Sequence, residues 1–187
     1  MELKNKTILF LGSSVTYGSA SGGISFVELI RDAYQSNCIK EAVSGTTLAD
    51  ISDESYASRL KKVDPDMHVD LFVCQLSTND ASRKIEICKI EEAIRFILNY
   101  VQVNFQCPIV FYTGTKYESD EYERMIALLY DLKREYSFYI LDLFNDNDMA
   151  KISREDYQKY MNDPIHPTLL GYKKWWTPKF IELFEKI

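Results

Sequence analysis

The sequence predicts an α/β fold: a parallel five-stranded sheet covered by helices on both faces. Short apolar runs rich in β-branched and aromatic residues alternate with longer segments of helical period. The alternation continues along the whole chain, with no internal repeat or compositionally biased segment. Consecutive apolar positions fit strands buried on both faces, and a strand–helix–strand succession closes most simply as parallel strands.

The strongest strand signals are Thr7–Leu11, Val69–Leu76, Ile109–Thr113 and Phe138–Leu143. Cys38–Val43 is a weaker fifth, interrupted by Lys40 and Glu41. Ile87, Ile90, Ile94, Ile97, Leu98, Val101 and Phe105 recur at three- and four-residue spacings and mark one face of a long helix. Tyr122, Met125, Ile126, Leu129, Leu132 and Tyr136 do the same for the next. A last helix is predicted from Pro167-Thr168 through Trp175 and Phe180, bent at Pro178. Of Trp175 and Trp176, at least one is expected in the core.

Length and composition restrict the function classes. The 187 residues fit one domain over 1–187, and 46% hydrophobic with 27% charged residues excludes a disordered chain. Twenty-eight acidic residues against twenty-two basic ones give a net charge of -6, which disfavours a nucleic-acid partner. No stretch approaches the roughly 18 apolar residues of a membrane span. The early apolar run Thr7–Leu11 is too short for a signal peptide. Cys38, Cys74, Cys88 and Cys107 form no CxxC pair, so free thiols in a reducing cytoplasm are expected. The acidic run Asp142–Asp148 lacks the glycine and terminal glutamate of a calcium loop.

In open parallel sheets ligands bind beyond the carboxyl ends of the strands, so the loops after the strands carry the chemistry. The first is Gly12-Ser13-Ser14-Val15-Thr16-Tyr17-Gly18. Its glycines match neither GxxxxGK[ST] nor GxGxxG. It reads either as an ordinary turn with a serine cap or as a serine nucleophile, Ser14, at a helix start. Such a nucleophile needs a base, and only His68 and His166 exist. His68 precedes the third strand and so lies at the opposite sheet edge. His166 lies in Asn162-Asp163-Pro164-Ile165-His166-Pro167. There Asp163 either caps a turn or orients the imidazole as a triad acid does. Gly45, after the second strand, and Asn79, after the third, could supply donors to an oxyanion.

Together these blocks resemble the SGNH (GDSL-type) hydrolases. Phe10–Gly18 resembles the family's Gly-Asp-Ser-Leu turn, and Gly45 its second-block glycine. Ser77-Thr78-Asn79-Asp80 resembles its Gly-x-Asn-Asp turn, and Asp163-Pro164-Ile165-His166 its Asp-x-x-His block. The four run in family order from residue 10 to 166. The resemblance implies a flavodoxin-like three-layer α/β/α sandwich and ester or thioester hydrolysis without metal or cofactor. It implies Ser14 as nucleophile, His166 as base and Asp163 as orienting acid. The oxyanion hole would come from the amides of Ser14 and Gly45 and the Asn79 side chain.

Two positions depart from the family pattern. Ser13 stands where aspartate is usual, which is expected to alter loop hydrogen bonding. Ser77 replaces a glycine; if the turn requires positive φ there, serine strains it and shifts Asn79.

The expected substrate is a small ester with a short acyl chain, including O-acetyl groups on carbohydrate, because few residues remain outside the core to build a lid. Tyr17, Thr115 and Tyr117 are candidate pocket residues, with rim aromatics the competing reading. A thioesterase or lysophospholipase acting on longer chains, and a non-catalytic binding module on the same fold, are the alternatives. A histidine base works only as neutral imidazole, so activity is expected to rise with pH through the neutral range.

Overall fold

The computed structural model describes residues Met1–Ile187. Five strands form one parallel sheet: β1 (Thr7–Gly12), β2 (Asn37–Ala42), β3 (Leu71–Gln75), β4 (Ile109–Tyr112) and β5 (Tyr139–Leu141), in the order β2-β1-β3-β4-β5. The helices are α1 (Ser14–Tyr17), α2 (Phe26–Tyr34), α3 (Tyr56–Leu60), α4 (Thr78–Ser82), α5 (Ile87–Asn104) and α6 (Asp120–Leu132). They continue with α7 (Asn147–Ala150), α8 (Arg154–Tyr160), α9 (Leu169–Gly171) and α10 (Thr177–Phe184).

Strand alternation sends successive side chains to opposite faces. Leu9, Leu11, Phe72, Cys74, Ile109 and Phe111 pack under α3, α5 and α6, through Leu60, Ile94, Ile97 and Leu129 among others. Ile8, Phe10, Leu71, Val73, Val110 and Tyr112 pack on the other face against Phe26, Ile30, Trp176 and Phe180. Phe26 stacks on Phe180 at 4.1 Å between ring centroids. The outcome is the three-layer arrangement expected, with every predicted strand present.

β5 is shorter than predicted. It pairs only through Leu141, because the Asp142 carboxylate turns to accept from Thr113 Oγ1, Asn145 and Tyr130. The C-terminal segment also differs. A π turn, Tyr172–Trp176, joins α9 to α10, with Thr177 N–H donating to the Tyr172 carbonyl. Pro178 sits in the first turn of α10, where its missing N–H costs least, so it starts a helix there. Trp175 and Trp176 are both buried.

Candidate active site

The chain leaves β1 at Gly12 and turns directly into α1. A Cβ at Gly12 would lie 1.8 Å from Thr16 Oγ1 and 2.9 Å from Gln75 Oε1, so only glycine fits this close approach. Ser14 is the first residue of α1 and its N–H is among the orphan donors of the first turn. Beneath it, Tyr172 OH donates to the Val15 carbonyl at 2.6 Å.

The last block folds as a tight turn around one carboxylate. Asp163 Oδ1 accepts the backbone N–H groups of Ile165 and His166, both at 2.8 Å. The same carboxylate lies 3.0 and 2.9 Å from His166 Nδ1 through its two oxygens. Burial pushes the Asp163 carboxyl up, but the two backbone donors and the imidazole outweigh it, holding it below the ordinary carboxylate value. With Nδ1 facing a carboxylate, Nε2 is turned outward and lies 2.8 Å from Ser14 Oγ. The sheet thus brings together Asp163, His166 and Ser14 in one hydrogen-bonded line.

Gly45 adopts φ +79°, the left-handed region that glycine occupies without strain. Its carbonyl accepts from Arg83 Nη2 at 2.8 Å, while its N–H donates to nothing within the chain. Asn79 lies at the start of α4 and lines the same cleft as Ser14 and His166. One N–H of its side-chain amide donates to the Thr46 carbonyl at 2.9 Å; the amide has a second. Asp80, fully buried, accepts from the N–H groups of Leu48 and Ala49 and so pins the loop that follows Gly45.

Ser77 does not strain its turn. It caps α4 at φ −74° and ψ 123°, extended backbone open to any residue, so Asn79 is not displaced by the missing glycine. Ser13 donates its backbone N–H to Gln75 Oε1 at 2.9 Å.

The cleft has a volume of about 340 Å³ and is lined mostly by polar residues, with Thr78, Ser82, Lys84, Glu118, Ser119 and Glu121 around Ser14 and His166. Of the three candidate pocket residues, only Tyr117 lines it. Thr115 is buried and does not line it. Tyr17 is exposed and lies against Lys40, whose Nζ is 5.2 Å from its ring centroid. His68, as its place before β3 implies, is far from this edge; it is exposed beside Asp70. Arg59 and Gln75, both buried against the site loops, were not singled out by sequence reasoning. Gln75 carried a usable signal: an amide inside an apolar strand must find partners when buried.

Residues 10–174 match the model of the GDSL-like lipase/acylhydrolase family. The chain belongs to that family. Among curated proteins, no sequence matches it. Among solved structures, a protein from Lactobacillus plantarum is 19% identical with a TM-score of 0.80, covering 98% of each chain. A member of the lipolytic G-D-S-L family from Veillonella parvula is 14% identical with a TM-score of 0.77, covering 97% of this chain and 100% of the other. An acetylxylan esterase from Geobacillus stearothermophilus is 14% identical with a TM-score of 0.72, covering 97% and 95%. At these identities the likeness is one of fold. No helix of this GDSL-like chain is long and apolar enough to cross a membrane.

Proposed function

We propose that the protein is a serine esterase that cleaves short-chain carboxylic esters through an acyl-enzyme. The observation that carries this reading is the line Asp163–His166–Ser14, with contacts of 2.9 and 2.8 Å, opening on a polar cleft. In it Ser14 Oγ attacks the ester carbonyl while His166 Nε2 takes its proton. The Asp163 carboxylate holds the imidazole's tautomer and stabilises the imidazolium. The carbonyl oxygen, now negative, is met by the N–H groups of Ser14 and Gly45 and the second N–H of Asn79. His166 returns the proton to the leaving alcohol, and water then repeats the sequence on the acyl-enzyme.

The polar lining favours an alcohol rich in hydroxyl groups, and O-acetyl carbohydrate fits that description. Hydroxyls and carboxylates such as Thr78, Ser82, Ser119 and Glu118 would replace the water such a substrate sheds on binding. Tyr117, at the cleft wall, is the aromatic surface on which a sugar ring would rest.

A second reading, hydrolysis of longer acyl or thioester chains, is favoured by one observation. A groove of about 230 Å³ lined by Ile85, Ile87, Ile90 and Met125 shares Ala81, Lys84 and Glu121 with the cleft. A panel of acyl esters of graded length, run on wild type beside Ser14→Ala, tests both. Rates highest for acetyl and propionyl esters, and absent in Ser14→Ala, are expected. Rates that climb to octanoyl support the second reading, and retained activity in Ser14→Ala overturns both.

A further inference from the structure

Arg59 is a buried cation whose hydrogen bonds all go to neutral oxygens. From α3, its Nε donates to the Glu54 carbonyl at 3.0 Å and its Nη1 to the Glu41 carbonyl at 2.6 Å. Its Nη2 donates to the Gly12 carbonyl at 2.7 Å and to Thr46 Oγ1 at 3.3 Å. Glu41 and Glu54 contribute backbone oxygens only, and the guanidinium lies over the Tyr56 ring at 5.3 Å. A guanidinium buried without a bonded carboxylate is costly unless its donors are filled, and here the acceptors are the ends of the site's own loops.

Gln75, at the end of β3, grips the same peptide unit from the other side. Its Oε1 accepts the Ser13 N–H at 2.9 Å; a backbone N–H can only donate, so this atom is the amide oxygen. The same oxygen accepts from Thr16 Oγ1 at 2.9 Å. That uses the threonine's only proton, so Tyr112 OH donates to Thr16 Oγ1 in turn, at 2.6 Å. The Gly12–Ser13 peptide, one before the Ser13–Ser14 peptide that carries the Ser14 N–H, is therefore held at its C=O by Arg59 and at its N–H by Gln75. Arg59 also reaches Thr46, the residue after Gly45, whose carbonyl receives Asn79.

We propose that Arg59 and Gln75 are positioning residues that clamp the Gly12–Ser13 peptide and thereby fix the Ser14 N–H relative to those of Gly45 and Asn79. The proposal rests on the esterase reading above. Neither side chain lines the cleft, so neither touches substrate; their effect passes through the donors that meet the oxyanion. Displacing such donors weakens transition-state binding and leaves ground-state binding alone.

The test compares Arg59→Met, Arg59→Lys and Gln75→Leu with Leu60→Ala, a core truncation on the same helix that leaves the clamp intact. For each folded variant, Tm, kcat and KM on a short-chain ester, and affinity for a boronic acid, are measured. Ser14 Oγ adds to the boron and gives a tetrahedral anion, so boronate affinity reports the oxyanion donors. Arg59→Met and Gln75→Leu are expected to lower kcat by about 10²-fold, as small misplacements at a reacting centre do. KM should hold and boronate affinity should fall in parallel. Arg59→Lys, which keeps a cation and donors, should recover part of the loss. Leu60→Ala should lower Tm with kcat unchanged. Wild-type kcat and boronate affinity in Gln75→Leu and Arg59→Lys, whether or not Arg59→Met folds, overturn the clamp. So does a fall in kcat that Leu60→Ala shares. A wild type without esterase activity, or an active Ser14→Ala, overturns the underlying reading instead.

Discussion

His166 Nε2 lies 2.8 Å from Ser14 Oγ, although 152 positions separate the two residues. β1 delivers one partner to the carboxyl edge of the sheet, and the loop before α9 delivers the other. In the proposed esterase, a proton shared across that distance makes the serine a nucleophile only while the imidazole is neutral and correctly turned.

Ser14→Ala removes the atom that would bond to the acyl group. Turnover should fall by about 10⁴-fold or more with folding intact, since the side chain loses one oxygen and no packing. Initial rates on a chromogenic acetyl ester, beside circular dichroism spectra, check this.

Asp163→Asn should preserve the turn, because the amide oxygen still accepts from Ile165 and His166, but it presents the wrong partner to Nδ1. A loss of kcat of about 10⁴-fold is expected, as for a triad carboxylate replaced by its amide. Folding lowers the proton affinity of this carboxyl. The stability it contributes is therefore present above the ordinary carboxylate pKa of about 3.9 and lost as pH falls through the lower folded value. Thermal midpoints should drop more steeply on acidification below that value in wild type than in Asp163→Asn.

Asn79→Ala takes away the tether to the Thr46 carbonyl and, on the proposed reading, one oxyanion donor. Loss of one such donor costs about 10²- to 10³-fold in kcat. Steady-state kinetics should show the fall in kcat with KM little altered; a rise in KM alone would contradict the assignment.

Asp80 titrates in the opposite sense. Burial pushes its carboxyl above the ordinary value, and the nearby Ser77 hydroxyl and the N–H groups of Ala49 and Leu48 offset this only in part. The folded state thus binds its proton more tightly, so stability falls as pH rises from about 3.9 through the raised folded value. Asp80→Asn should abolish that slope. It also leaves one of the two N–H groups without an acceptor, lowering stability by about 1–3 kcal/mol. Melting curves as a function of pH measure both effects.

The parts of this molecule legible in the sequence are those whose cause is local. Ile109–Tyr112 and Leu71–Cys74 are apolar at consecutive positions because both faces of the sheet are covered. Asp163 and His166 meet because a three-residue spacing lets one carboxylate hold a turn and an imidazole together. What depends on distant partners was not legible. Arg59 looks like any helical arginine in Tyr-Ala-Ser-Arg-Leu until the fold sets it against the ends of β1 and β2. Tyr17, in the loop that carries Ser14, is expected to be a pocket residue, yet it is exposed and its ring lies against Lys40 on β2. The π turn before Pro178 carries Trp176, which stacks on Phe26 from a distant helix, a contact that no local pattern encodes.

The most direct measurement is labelling with a fluorophosphonate probe followed by peptide mapping. An activated serine attacks phosphorus and expels fluoride, whereas an ordinary hydroxyl does not react. Stoichiometric label on Ser14 is expected, lost in Ser14→Ala and strongly slowed in His166→Ala. A folded wild-type protein that takes no label, or takes it at another serine while esters are cleaved, would contradict the account.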